Sequence, residues 1–219
     1  MMFVSLIKES LKSVDEEYYN NLYGNHISKD FCFAVYLKNF EMKEDIFKIK
    51  DGITFNVSSP DYEFMINLYN GLLKLNNFQY KEFALEKERI DMVNEKKVYG
   101  EEVTFQTLSP IFIKDVYDNA VSIDNDNFVK ELNYIANIIL KNYRGYGLQE
   151  KLKFTSLNME KRVVKQEFAE SKEEIGTPYY VNSYMGTFRL EGKKEDLQDI
   201  YQLGIGFKRN QGFGMIEVV

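Results

Sequence analysis

The stretch Gly204-Ile205-Gly206-Phe207-Lys208-Arg209-Asn210-Gln211-Gly212-Phe213-Gly214 sets two Gly-apolar-Gly units around five residues that include two cations. Glycine adopts φ > 0 without steric cost and lets backbone N–H groups approach a ligand closely. Successive N–H groups in such a turn form an anion-binding concavity, which Lys208 and Arg209 would reinforce. The same pattern also describes a glycine hairpin packed tightly ahead of an edge strand, here Met215 to Val219, and spacing alone does not separate the two readings. A second residue suited to chemistry is His26, the single histidine, in the polar stretch Gly24-Asn25-His26-Ile27-Ser28. Imidazole can exchange a proton near neutral pH, although a lone loop histidine is also commonly just solvated.

Other chemistries are excluded. There is no G-x-x-x-x-G-K-[ST] phosphate loop. Gly204-Ile205-Gly206 lacks the third glycine of a dinucleotide fingerprint and follows a predicted helix, not a strand. Asp124-Asn125-Asp126-Asn127 stands in a polar turn before a predicted helix, where turn and N-cap duty outranks cation binding. One cysteine, Cys32, and one histidine rule out an internal disulfide and a Cys- or His-based zinc site. Cys32 alternates with Phe31 and Phe33 and reads as a buried structural thiol. No metal and no cofactor is expected. No run approaches the ~18–20 apolar residues of a membrane span, and MMFVSLIKES is broken by Ser5 and Lys8 too early for a signal-peptide core. The expected compartment is the cytoplasm, with no membrane partner.

The chain of 219 residues carries a net charge of −6, which argues against a general nucleic-acid coat. The charge is uneven. Residues 141–165 hold Lys141, Arg144, Lys151, Lys153, Lys161, Arg162 and Lys165 against Glu150 and Glu160, a balance of +5 that leaves −11 on the remainder. A localised basic face on an acidic protein suits a polyanion bound on one side; two solvated strands with outward lysines would read the same way.

These residues need elements to position them. Val4, Ile7, Leu11, Val14, Tyr18 and Leu22 recur at intervals of three and four, which predicts one amphipathic helix over 3–23. Phe31 to Leu37 and Ile53 to Val57 read as strands, and Asp61 to Leu73 as a helix after Pro60. Phe78 to Met92 reads as a long bent strand and Thr104 to Ile113 as another. Then follow a helix over 127–142, strands over Leu148–Leu157, Arg162–Phe168 and Val181–Leu190, a helix over Lys193–Leu203, and a closing strand. The second half condenses to β-α-β-β-α-β, the ferredoxin-like unit, and the first to α-β-β-α-β, the same unit without its opening strand. The fold class is α+β with tandem ferredoxin-like (RRM-like) domains, residues 1–97 and 98–219. Without the opening strand, two strands lose their common neighbour and expose unpaired backbone. The expectation is that the natural protein begins upstream, or that a partner chain or rearranged segment fills the gap; Met1-Met2 fits an internal start.

The glycine signature running into Met215-Ile216-Glu217-Val218-Val219 resembles that of the CRISPR-associated pre-crRNA endoribonucleases, the sixth Cas family within the RAMP superfamily. Leu22-Tyr23-Gly24 followed by Lys29-Asp30-Phe31-Cys32-Phe33 resembles the family's K-P-F-T-F-S strand, departing at Asp30, Cys32 and Ala34. Thr107-Leu108-Ser109-Pro110-Ile111 resembles its mid-chain T-L-S-P-I strand, and Tyr184 to Gly192 the segment leading into its last helix. The resemblance spans almost the whole chain.

It implies tandem ferredoxin-like domains and metal-independent RNA cleavage by the substrate's own 2′-OH, giving a 2′,3′-cyclic phosphate and a 5′-OH. The family's general base is commonly a histidine in or just after the first helix, the region of His26. Tyr23 and Lys29 flank it and could donate to a phosphate or orient the ribose; helix-end packing is the competing role of Tyr23. RNA binding would fall to Gly204, Gly206, Lys208, Arg209, Gly212 and Gly214, with Lys151, Lys153, Arg162 and Lys165. The expected partner is CRISPR repeat RNA, with other Cas subunits of an interference complex and a second copy of the chain as further candidates. A RAMP-type subunit that holds crRNA without cutting it shares the fold and the loop, and an RNA-recognition-like pair unrelated to CRISPR is a third reading.

Overall fold

The computed structural model describes residues 1–24, 28–43, 46–166 and 179–219. The chain opens with helices α1 (Met2–Val14) and α2 (Glu16–Gly24). The expected single helix over 3–23 is broken at Asp15, which is extended (φ −145, ψ 102) and whose side chain accepts a hydrogen bond from the Tyr18 N–H at 2.8 Å. A carboxylate able to cap the next turn ends one helix and starts another, although the apolar period runs through the break. Strands β1 (Cys32–Leu37), β2 (Phe40–Lys43), β3 (Ile46–Ile49) and β4 (Ile53–Ser58) follow. β1 pairs antiparallel with β4 across its whole length, while β2 and β3 form a separate exposed hairpin that the sequence reading leaves unassigned.

Helix α3 (Tyr62–Lys74) starts where expected, with the Asp61 side chain accepting from the Glu63 and Phe64 N–H groups. It crosses α1 closely: a Cβ on Gly71 would lie 2.1 Å from the Ser10 carbonyl oxygen. Ile7, Leu11, Phe31, Phe33, Phe64 and Leu68 make the core of this half. The strand expected over Phe78–Met92 is instead a hairpin, β5 (Asn77–Tyr80) and β6 (Phe83–Glu86), turned at Lys81 with φ 53. Among the described residues no strand lies between β4 and β5. An open groove of about 840 Å³, lined by Phe3, Leu6, Phe55 and Phe78 among others, occupies that position.

The second half is a complete ferredoxin-like unit: β7 (Glu102–Thr107), α4 (Asn127–Arg144), β8 (Lys153–Gln166), β9 (Tyr179–Glu191), α5 (Lys194–Leu203) and β10 (Ile216–Val218). The sheet order is β10-β7-β9-β8, antiparallel at every pairing. α4 buries Phe128, Leu132, Ala136 and Ile139 at helical spacing against Phe105, Phe188 and Leu190 of the sheet. β7 ends at Thr107, short of the expected Ile113, because Pro110 cannot donate to a ladder; the Leu108 and Ser109 N–H groups both turn to the Met215 carbonyl. The two strands expected over Leu148–Leu157 and Arg162–Phe168 are one strand, β8, with a bulge between Ser156 and Asn158. The fold is α+β, a tandem of ferredoxin-like units, the first of which shows no opening strand among the described residues.

Candidate active site and glycine-rich loop

The last turn of α2 carries Tyr23, and the approach to β1 carries Lys29 and Asp30. Tyr23 lies 5.1 Å, ring to ring, from Tyr19. Its hydroxyl is buried with no hydrogen-bond partner among the described residues. Burial, and secondarily Tyr19, pushes its pKa well upward, so it stays a neutral phenol that can donate a proton-bearing hydrogen bond but does not serve as a base. Lys29 is buried, and its ammonium stands 5.6 Å from the Tyr23 ring centroid. Burial draws its pKa down, Asp30 opposes, and Lys8 adds to the lowering. Lys8 reaches the same ring from α1, at 4.9 Å. The sequence reading singled out Tyr23 and Lys29 but missed Lys8, which sits between apolar stripe positions Ile7 and Leu11 of the predicted helix. His26 lies outside the described residues.

The glycine-rich loop joins α5 to β10. Gly204, Gly206, Gly212 and Gly214 all have positive φ, and so does Lys208, at φ 58. A Cβ on Gly214 would lie 2.0 Å from the Ile205 carbonyl oxygen, and one on Gly204 would lie 2.7 Å from the Cys32 Cβ. The loop therefore closes on itself and on β1. The Ile205 N–H donates to the Gly214 carbonyl, the Gly214 N–H to that of Pro110 and the Phe207 N–H to that of Phe112, each at 2.8 Å. These donors are turned to the protein itself, which favours the packed-hairpin reading for them.

Lys208 and Arg209, neighbours in sequence, part company. Arg209 is only 3% exposed. One guanidinium nitrogen donates to the Leu203 carbonyl; the other donates to the Ser28 hydroxyl at 2.8 Å and the Lys29 carbonyl at 3.3 Å. Burial works against its charge, with Cys32 and Asp30 opposing. Asp30 is in turn pushed up by burial, against the pull of Arg209. Arg209 thus ties the glycine loop of the second unit to the Ser28–Lys29 segment of the first, and Gly212 of the loop lies against the Phe33 ring of β1. Lys208 stays partly exposed: its ammonium donates to the Gln166 side chain at 2.5 Å and lies 5.2 Å from the Tyr179 ring.

The basic stretch divides as well. Strand alternation, shifted by the bulge, puts Lys161 and Lys165 on one face of the β8–β9 hairpin and Lys153 and Arg162 on the other. Lys153 pairs with Glu191 at 2.9 Å and Arg162 with Glu160 at 2.7 Å, both exposed; Lys151 is exposed before β8. Arg144 is withdrawn altogether, bonded to Asp196 and Asp199 at 2.5 Å each. The Asn125 side chain accepts from the Asn127 N–H, which is turn duty. Among the described residues no three His, Cys, Asp or Glu side chains gather as a metal site, and no helix is long and apolar enough to cross a membrane.

The family model for CRISPR associated protein Cas6, C-terminal, matches residues 93–218. The CRISPR-associated endoribonuclease Cas6 1 of Methanocaldococcus jannaschii is 26% identical over 223 residues, spanning 97% of this chain and 82% of that protein. A solved structure of a Cas6-related gene product from Pyrococcus furiosus superposes with a TM-score of 0.82 at 20% identity, over 100% of this chain and 89% of its own. A RAMP protein described as binding different RNA substrates gives 0.75 at 19% identity, over 100% and 90%. These two share the fold.

Proposed function

We propose, for a chain that belongs to the Cas6 family of CRISPR-associated proteins, that it is an endoribonuclease cutting CRISPR repeat RNA within its precursor, without a metal ion, by attack of the substrate's 2′-OH. The observation that supports the reading is the approach of Lys29 to the Tyr23 ring, with Arg209 of the glycine loop bonded to Ser28 and Lys29. In-line attack needs removal of the 2′-proton, orientation, and neutralisation of charge developing on the phosphoryl oxygens. His26 takes the proton. Lys29, partly desolvated, meets the developing negative charge, and a charge in such a setting acts more strongly than in water. Tyr23, held neutral, orients the ribose or phosphate by donation. Other Cas subunits and a second copy of the chain are candidate partners of the same protein.

A repeat RNA with a single 2′-deoxy nucleotide at the cut site tests the chemistry: it should bind as the all-ribose RNA does and remain uncut. Cutting at that site would show that the nucleophile is not the 2′-OH. A chain that binds repeat RNA but cuts neither substrate would be a RAMP-type crRNA-binding subunit.

RNA contact from the loop falls to Lys208 and not to its neighbour. Lys208→Ala should weaken repeat-RNA affinity several-fold and reduce the slope of log affinity against log salt by about one, with an unaltered melting temperature. Unaltered affinity and slope would leave the loop as a packing device alone.

A further inference from the structure

We infer that Tyr117, at the tip of the loop between β7 and α4, is a stacking platform for one unpaired base of the bound RNA; the inference rests on the RNA-binding part of the reading above. Residues 114–120 form a small hairpin. Lys114 and Ala120 pair as an antiparallel bridge, and the Asp115 N–H donates to the Asn119 carbonyl at 2.9 Å. The Asp118 N–H closes the turn on the Asp115 carbonyl at 3.1 Å, with Asp118 at φ 65. The Asp115 carboxylate accepts from the Tyr117 and Asn119 N–H groups at 2.9 Å each, and from the Asn119 amide at 3.4 Å. The Asn119 N–H foremost, with Tyr117 behind it, holds that carboxyl below its ordinary pKa. The tip is thus fixed by its own bonds, yet it leaves Val116 78% and Tyr117 81% exposed. A ring held in place before binding loses little freedom when a ligand settles on it.

This hairpin adjoins the glycine-rich loop. The Lys114 ammonium lies 5.1 Å from the Phe207 ring centroid, and the Phe207 N–H donates to the Phe112 carbonyl at 2.8 Å. Burial, and next Lys114, draws the Lys208 pKa down while Asp118 opposes, so the tip and Lys208 share one surface. The charges at the tip decide which part of an RNA it suits. Lys114 is engaged with Asp118, and Asp115 and Asp118 stand on either side of Tyr117 in the sequence. Two carboxylates make the tip a poor place for a phosphate. A nucleobase is uncharged, and its π-face stacks on tyrosine whatever the base. The base has to be out of a duplex, because pairing and stacking cover its faces. A phosphate at Lys208 and a base on Tyr117 make the combination of cation and aromatic that single-stranded RNA sites use.

The test uses the full chain and repeat RNA with a 2′-deoxy nucleotide at the cut site, either intact or with one base removed at a time. Tyr117→Ala and Tyr117→Leu should each weaken binding of the intact RNA about tenfold, and Tyr117→Phe by no more than about twofold. Removing the base at one position should weaken wild type about tenfold and Tyr117→Ala no more than about twofold, because the ring and that base act as a pair. The melting temperature should not move, since the ring is exposed. Wild-type affinity in Tyr117→Ala, retained affinity in Tyr117→Leu, or equal losses in wild type and Tyr117→Ala at every removed base would overturn the inference. Unaltered RNA affinity together with loss of self-association would overturn it in favour of a protein contact. Because affinity is read without cleavage, a chain that does not cut can still support this site while refuting the cleavage reading. A chain that cuts while Tyr117→Ala binds RNA as wild type does the reverse.

Discussion

Replacing His26 with alanine should lower single-turnover cleavage of repeat RNA by at least ~100-fold while leaving RNA affinity within a few-fold of wild type. Proton abstraction matters only on the way to the transition state, whereas the proposed binding surface is Lys208 and the exposed basic residues of the β8–β9 hairpin. The wild-type rate should rise with pH through the imidazole pKa, since neutral imidazole is the base, and then level off or fall once a conjugate acid is lost. The alanine variant should lose that rising limb. Tyr23 is a poor substitute base because burial holds its hydroxyl protonated. Normal cutting by His26→Ala would therefore leave in-line orientation and Lys29 to carry the reaction, and would remove histidine from the mechanism.

Arg209→Ala should damage the protein as a folded object rather than its RNA contacts. It would strand the Leu203 and Lys29 carbonyls at the junction of the two units, while the hydroxyl of exposed Ser28 can turn to water. Each buried group left unsatisfied costs about 1–3 kcal/mol. For two such carbonyls, at roughly 2–4 °C per kcal/mol for a chain of this size, the melting midpoint should drop by about 4–24 °C. Arg209→Lys should recover little, because a single ammonium cannot reproduce donation along two directions of a planar fork. Cleavage should fall with it, since Lys29 loses its anchor to the loop. A melting midpoint equal to wild type combined with weakened RNA binding would put Arg209 on the RNA after all.

The contrast between Lys208 and Arg209 shows where sequence ceased to be legible. Side by side in a glycine-rich stretch, they read as an equivalent cationic pair. What separates them is Ser28 and Lys29, about 180 positions away, and no local pattern encodes that contact. The glycines misled in a related way: their spacing was visible, but the reason for it is the approach of Ile205 to Gly214 and of Gly204 to Cys32, which only the closed loop reveals. Lys8 was hidden because one helix-surface lysine resembles another until Tyr23 and Lys29 are brought to it.

Elements with strong internal period were readable. The stripe Phe128, Leu132, Ile135 and Ile139 identified α4, and the alternation of β and α signals in the second half gave its ferredoxin-like order, now seen as β10-β7-β9-β8. Asp15 split the first helix although the apolar period continued through Tyr18 and Leu22, since a side chain that caps a turn leaves no trace in that period. β8 read as two strands because its bulge at Ser156–Asn158 shifts the alternation by one residue.

The most direct test of the account is incubation of the purified chain with repeat RNA in EDTA, followed by analysis of the product ends. The account predicts one cut per repeat at an undiminished rate, leaving a 2′,3′-cyclic phosphate on one fragment and a 5′-OH on the other. Cleavage that appears only on addition of a divalent cation, or that leaves a 5′-phosphate, would contradict it.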